Sequence, residues 1–170
     1  MATVTLEGTP VNLRGNEVNV GDKAPEATVV TADLAERRVG GPQGKVQMVV
    51  VVPSLDTPVC AMETRRFNQE ASNIQDVDLI VISMDLPFVS KRFCSTEGIE
   101  NLAVASDFRN RDFGENYGVV IAEGPLTGIL ARAIFIIDRD GTVVYKQLVP
   151  EITQEPNYEE ALEAAKKAAA

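Results

Sequence analysis

The sequence predicts an α/β fold, with a central mixed sheet and helices on both of its faces. Two apolar runs, 46–52 and 77–83, show little alternation, which is typical of strands buried on both faces. A helical pattern over 58–74 connects them, and such a strand–helix–strand crossover is almost always right-handed. At 170 residues, the chain is expected to form a single domain, 1–170, with room for a substantial core.

The other elements are predicted from turn signals, helix-ending residues and short apolar runs. Before the first long strand, these signals predict a hairpin of strands at 3–6 and 11–13, a short strand at 27–31 and a turn at 40–42. After the crossover they predict a helix at 87–97, a strand at 102–105, a short helix at 111–117, a hairpin of strands at 131–137 and 142–148, and a last helix at 158–168.

The composition excludes several classes of function. The chain contains no His, which removes Ser-His-Asp and Cys-His catalysis as well as histidine metal sites. A net charge of −9 argues against binding to nucleic acids or anionic membranes, and the lack of Trp argues against base stacking. No apolar run approaches the roughly 18 residues of a membrane helix, and the N-terminus lacks a secretory pattern, so we expect a cytoplasmic protein.

The first of only two cysteines, Cys60, falls at the predicted start of a helix. It follows a buried strand, and the carboxyl ends of such strands are where open α/β sheets place their ligands. Pro58 suits the first helical position and Thr57 the N-cap, which makes Cys60 the third helical residue. Free backbone N–H groups and the helix dipole favour the thiolate there, whereas Glu63, within one turn of the sulfur, disfavours it.

Plainer interpretations of these residues stay open at this point. Cys60 lies on one helical stripe with four other positions, Thr64, Phe67, Ala71 and Ile74. The stripe either turns the sulfur into a sheltered pocket or makes Cys60 a small core residue. Thr57 is either an N-cap alone or a cap with a further role.

The second cysteine, Cys94, lies in the predicted helix 87–97 beside Lys91 and Arg92. These cations either stabilise a thiolate or form a solvated face. The two cysteines follow consecutive strands, so their helices are expected to start at the same end of the sheet. A disulfide needs Cα atoms within roughly 7 Å. If Cys60 is tucked into a helix, the first turn of that helix must unwind before the bond can close. Without a C-x-x-C motif, the separation suits oxidation of one thiolate to a sulfenic acid, with which the other thiol condenses.

Several segments resemble one protein family. Pro53-x-x-x-Thr57-x-x-Cys60 is similar to the active-site motif of the peroxiredoxins, and the whole string over 53–60 resembles the thiol peroxidase subfamily of atypical two-cysteine peroxiredoxins. Further segments that resemble this subfamily lie at 85–88 with 92–94, 122–126, 131–133 and 151–158. The likeness runs from the first hairpin to the last helix.

The resemblance implies a thioredoxin-like fold with an added N-terminal hairpin, a homodimer, and no bound cofactor or metal. It implies that Cys60 is the peroxidatic cysteine, which attacks hydrogen peroxide or an organic hydroperoxide. Cys94 would be the resolving cysteine, which closes an intramolecular disulfide that thioredoxin reduces. The resemblance places the Thr57 hydroxyl on the peroxide or the thiolate, Pro53 as a shield over the pocket, and Arg132 on the thiolate and the peroxide.

Other interpretations remain compatible with the sequence alone. Arg132 by itself is a charge within an apolar strand, and its side chain could simply extend to solvent. A redox sensor or binding module would form the same disulfide but would not turn over with thioredoxin. A purely structural thioredoxin-fold domain would not form the disulfide when it meets peroxide.

Overall fold

The computed structural model describes residues 2–71 and 74–170, which contain ten strands and four helices. The strands are β1 Thr3–Leu6, β2 Thr9–Arg14, β3 Ala27–Thr31, β4 Glu36–Val39, β5 Val46–Val51, β6 Val77–Ser83, β7 Ala103–Ser106, β8 Val120–Ile121, β9 Ala133–Ile137 and β10 Val143–Leu148. The helices are α1 Pro58–Ala71, α2 Pro87–Glu97, α3 Asp112–Tyr117 and α4 Tyr158–Ala169. Within the described ranges, no helix has the length and apolar character needed to cross a membrane.

Seven of the strands form one mixed sheet in the order β10-β9-β5-β6-β7-β3-β4. The central strands β5, β6 and β7 run parallel, and the flanking pairs are antiparallel. Because β5 and β6 are parallel neighbours, the helices that follow them begin at the same end of the sheet. A separate antiparallel sheet contains β1, β2 and β8.

Each face of the central sheet has its own hydrophobic core. All six residues of β5 are buried. One face packs against α3 through Phe113 and Tyr117. The other packs against α1, α2 and α4, through Phe67, Phe93 and Tyr158 respectively. The predicted fold class is therefore confirmed, and the added N-terminal sheet matches the thioredoxin-like arrangement that the resemblance implied.

The differences from the prediction have local causes. The prediction omits β4 and β8, because β4 is a short edge strand of mostly charged residues and β8 has two residues. The strand predicted at 131–137 begins at Ala133, so Arg132 lies before β9 and not inside it. The first long helix ends at Ala71 and not at 74, and the predicted helical positions 72 and 73 lie outside the described residues.

The polar residue of β5, Gln47, fixes the turn that follows β4. Its side-chain oxygen accepts a hydrogen bond from the Gly40 N–H at 2.9 Å, and its amide donates to the Gly41 carbonyl at 3.1 Å. Gly40 has a φ of +85°, and a Cβ added there would lie 1.9 Å from the carbonyl oxygen of Pro25. Glycine is therefore required at this position on two grounds, backbone conformation and space.

We predict that Gly40→Ala lowers the free energy of unfolding by roughly 3 kcal/mol or more, because the turn must move away from Pro25. Gly44→Ala is the matched control: its φ is +73°, but an added Cβ meets no atom within 4 Å. This variant should lose only about 1 kcal/mol. Urea denaturation followed by circular dichroism measures both, and equal losses would contradict the steric argument.

Candidate active site

Cys60 lies in the first turn of α1, and its side chain is fully buried. β5 ends at Val51 and α1 begins at Pro58, so the cysteine is at the carboxyl edge of the sheet, as predicted. The first helical hydrogen bond runs from the Ala61 N–H to the Thr57 carbonyl at 3.0 Å. The Cys60 N–H therefore precedes the intrahelical bonds of α1, at the positive end of the helix dipole.

Arg132 donates a hydrogen bond to the Cys60 sulfur from a buried position just before β9. Its side chain is 3% exposed, which excludes an extension to solvent. Nη1 lies 3.2 Å from Sγ, while Nε and Nη2 donate to the Ile152 carbonyl at 3.1 and 2.8 Å. Burial alone lowers the pKa of Arg132, but the neighbouring Cys60 and Glu63 outweigh burial and hold the pKa above its usual value. The guanidinium is therefore a positive charge held in a fixed position next to the Cys60 sulfur.

The carboxylate of Glu63 binds the same guanidinium nitrogen. Its Oε1 lies 3.1 Å from Nη1 of Arg132, and the residue is fully buried. Its Oε2 is buried without a hydrogen-bond partner among the described residues. Burial raises the pKa of Glu63 from 4.5 to about 7, although Arg132 opposes that shift. The carboxylate and a thiolate on Cys60 therefore compete for one donor near neutral pH.

The loop before α1 is held by Asp85, which follows β6. The Asp85 carboxylate accepts hydrogen bonds from the Ser54 hydroxyl at 2.8 Å, the Leu55 N–H at 2.7 Å and the Ser83 hydroxyl at 2.8 Å. Since Ser83 ends β6, these bonds tie the loop to the neighbouring parallel strand. The position at which α1 starts, and with it the position of Cys60, is thus fixed by two adjacent strands.

Thr57 and Pro53 lie in this loop. The Thr57 backbone occupies the predicted N-cap position, but its exposed hydroxyl donates to the Ser54 carbonyl at 2.9 Å. In the part of the chain that the structure describes, no hydrogen bond joins that hydroxyl to the Cys60 sulfur. Pro53 is buried two residues after the end of β5.

Cys94 lies on α2, half-buried, and both it and Cys60 are free thiols. It packs against the same core cluster that contains Cys60. Burial and the nearby Asp33 raise the pKa of the Cys94 thiol. Neither Lys91 nor Arg92 forms a hydrogen bond with the Cys94 sulfur within the described residues, and both side chains are exposed, which favours the alternative of a solvated face.

The two cysteine-bearing helices lie side by side. Arg65 of α1 pairs with Glu97 of α2 at 3.0 Å, and Arg92 pairs with Asp56 of the preceding loop at 3.3 Å. A groove between the helices is lined by residues from both. Ion pairs that remain accessible to solvent, as both of these do, contribute about 0–1 kcal/mol each, so they add little to the free energy of separating the helices.

Comparison with known proteins shows the family of the chain. The family model described as Redoxin matches residues 19–162. A protein from Aquifex aeolicus (strain VF5) named thiol peroxidase is 59% identical over 165 residues, which covers 97% of each chain. The chain belongs to the thiol peroxidase family. Membership makes it a peroxiredoxin-type oxidoreductase, as the resemblance implied.

Solved structures of thiol peroxidases and related proteins share the fold. A peroxiredoxin-like protein from Aquifex aeolicus is 58% identical and superposes with a TM-score of 0.96, over 99% of this chain and 98% of that chain. A thiol peroxidase from Chromobacterium violaceum is 22% identical and superposes with a TM-score of 0.86, over 97% and 95% of the two chains. The second likeness concerns the fold alone.

Sequence reasoning singled out Cys60 and Arg132, which the structure brings together. It missed the Ile152 carbonyl, because any residue supplies a backbone acceptor and the sequence carries no signal for it. It also missed the role of Asp85, although a carboxylate directly after a buried strand was a usable signal. Cys94 lies on the adjacent helix, as expected from the two consecutive strands.

We predict that Glu63→Gln removes part of the pH dependence of stability. Because the folded state raises the pKa of Glu63 from 4.5 to about 7, it binds more protons than the unfolded chain between these pH values. The free energy of unfolding therefore falls as the pH rises through this window, by about 3 kcal/mol for this group. Urea titrations of both proteins at several pH values measure the difference. Asp107, whose pKa burial raises to about 6, contributes equally to both proteins, and parallel curves would contradict the prediction.

Proposed function

We propose that this chain is a thioredoxin-dependent peroxidase that reduces hydrogen peroxide and organic hydroperoxides through Cys60. The observation that carries the proposal is the 3.2 Å hydrogen bond from Arg132 Nη1 to the Cys60 sulfur in a buried site. A guanidinium stays protonated at every physiological pH, so it favours a thiolate over a thiol. Relatives named thiol peroxidase at 59% and 54% identity support the same chemistry.

In the first step, the Cys60 thiolate attacks one peroxide oxygen in line with the O–O bond. An S–O bond forms as the O–O bond breaks, which leaves a sulfenic acid and an alkoxide or hydroxide that takes up a proton. Arg132 and the backbone N–H of Cys60 are donors fixed where this charge develops. Thr57 is the further donor expected from the sequence. Its hydroxyl donates to the Ser54 carbonyl here, so it must turn away from that carbonyl to donate to the departing oxygen. Pro53 shields the pocket.

In the second step, the Cys94 thiol condenses with the sulfenic acid and water leaves. The disulfide requires Cα atoms within roughly 7 Å, yet Cys60 is buried in the first turn of α1 and Cys94 lies in α2. The first turn of α1 must therefore unwind. Openings that cost a few kcal/mol are ordinary in folded proteins. The solvent-accessible ion pairs of Arg65 and Arg92 oppose this one only weakly.

In the third step, a thioredoxin-type dithiol reduces the Cys60–Cys94 disulfide and returns both thiols. The unwound turn exposes the disulfide to this partner. Each step uses side chains of this protein, the peroxide and the dithiol, so the proposal includes no bound cofactor or metal. The proposal also includes a homodimer, which the family resemblance implies, and a cytoplasmic location, which the sequence predicts.

Two cysteine variants test the proposal. Cys60→Ser should abolish turnover, whereas Cys94→Ser should consume about one peroxide per chain and then stall, because its sulfenic acid has no resolving thiol. NADPH consumption in an assay coupled to thioredoxin and thioredoxin reductase measures turnover, and peroxide consumption at equimolar protein measures the single reaction. Full activity in Cys60→Ser would refute the assignment. A wild-type protein that forms the disulfide but never turns over would be a redox sensor instead.

The guanidinium is tested separately. Arg132→Lys keeps a positive charge but loses the fork that binds Cys60 and Ile152 together, so the rate of peroxide reduction should fall by about 100-fold or more. Arg139→Lys, at the opposite end of β9, is the matched control and should retain the wild-type rate. Rapid mixing of each reduced protein with hydrogen peroxide gives the rates, and an unchanged rate in Arg132→Lys would overturn the role.

A further inference from the structure

The segment 151–158, between β10 and α4, is similar to the thiol peroxidase family, yet none of its side chains takes part in the steps above. Its first residue, Glu151, has a carboxylate with an unusual number of donors. Oε1 accepts from the Thr5 hydroxyl at 2.8 Å and the Gly8 N–H at 2.9 Å. Oε2 accepts from the Glu7 N–H at 3.2 Å and from both the N–H and the hydroxyl of Thr153, at 3.0 and 2.8 Å.

These bonds join the N-terminal hairpin of β1 and β2 to the segment after β10. The backbone adds to them, because the Thr5 N–H donates to the Pro150 carbonyl at 2.7 Å and the Ile152 N–H donates to the Thr5 carbonyl at 2.9 Å. Ile152 itself is buried in a cluster with hairpin residues Val4 and Val11. The hairpin and the segment therefore hold each other in place.

One peptide group connects this carboxylate to the site. The Thr153 N–H, which Glu151 binds, and the Ile152 carbonyl, which Arg132 binds, belong to the same planar peptide unit. The N–H and C=O of a trans peptide point in opposite directions, so a carboxylate on one side orients the carbonyl on the other. Two nitrogens of Arg132 donate hydrogen bonds to that carbonyl, and the third donates to the Cys60 sulfur.

We propose that Glu151 is a positioning residue for peroxide reduction. It fixes the Ile152–Thr153 peptide so that its carbonyl holds Arg132 against Cys60, and the N-terminal hairpin is thereby part of the support for the guanidinium. This inference rests on the proposed function of Cys60 and Arg132. The backbone and hydroxyl donors, that of Thr153 foremost, hold the pKa of Glu151 down from 4.5 to about 2. The carboxylate is therefore ionised throughout the working range of pH.

Loss of the carboxylate should affect the reaction without touching the reacting atoms. In Glu151→Ala the peptide can rotate, the guanidinium loses its fixed direction, and the rate of peroxide reduction falls by about tenfold or more. Glu151→Gln retains a side-chain oxygen that can accept from Thr153, so it should recover most of that loss. Rapid mixing of the reduced proteins with hydrogen peroxide measures all three rates.

A matched control separates positioning from a general loss of support. The carboxylate of Glu123 also binds the hairpin, through the Asn12 N–H at 2.9 Å, but it makes no contact with the Ile152–Thr153 peptide in the described residues. Glu123→Ala should loosen the hairpin yet keep the wild-type rate. An equal fall in Glu123→Ala and Glu151→Ala would overturn the proposal, since any damage to the hairpin would then suffice.

A double-mutant cycle tests the route through Arg132. In an Arg132→Lys background the carbonyl no longer holds a fork, so adding Glu151→Ala should change the rate by less than about twofold. If the double variant instead loses rate by the product of the two single-variant factors, the proposal is overturned. The rate of Cys60 alkylation by iodoacetamide, measured against pH in a Cys94→Ser background, should also fall in Glu151→Ala. Since this readout needs no peroxide, it tests the positioning even if the wild-type protein reduces no peroxide, an outcome that would refute only the proposed function.

Discussion

The buried guanidinium of Arg132 is the interaction on which the rest of the site depends. A buried charge is strongly destabilising unless its hydrogen-bonding groups are satisfied. Here two nitrogens meet the Ile152 carbonyl, and the third meets Cys60 and Glu63. The hydrogen bonds that offset the cost of burying Arg132 are therefore the same bonds that direct its charge at the Cys60 sulfur.

Three distant parts of the chain meet at this guanidinium, and the central sheet brings them together. β5 and β9 pair antiparallel with Val51 opposite Ala133, so Arg132 lies beside the end of the strand that leads to Cys60. The Ile152 carbonyl belongs to the segment after β10, and β10 pairs with β9 on the side away from β5. A shift of one residue in that register would turn the arginine to the opposite face of the sheet.

The site combines two demands that conflict. A sheltered, water-poor pocket strengthens the hold of Arg132 on the sulfur, while the proposed condensation with Cys94 would require that the shelter opens. The structure separates the demands in space. The bonds to Arg132 lie in the core, whereas the ion pairs that join α2 to α1 and to the loop before α1 are accessible to solvent and weak. Burial and the nearby Asp33 raise the pKa of the Cys94 thiol, which disfavours a second anion near the site.

The sequence alone predicted eight of the ten strands and all four helices of the described residues, and it singled out Cys60 and Arg132 as candidate reactive groups. Apolar runs marked the central strands, Pro58 marked the start of α1, and the only two sulfurs able to form a disulfide were evident at once. Tertiary structure decided what surrounds them. Strand pairing decides three features of Arg132. It lies before β9 and not within it, one of its nitrogens is shared with Glu63, and a backbone carbonyl holds its guanidinium. These contacts join residues far apart in the chain, and local sequence patterns carry no information about such pairs.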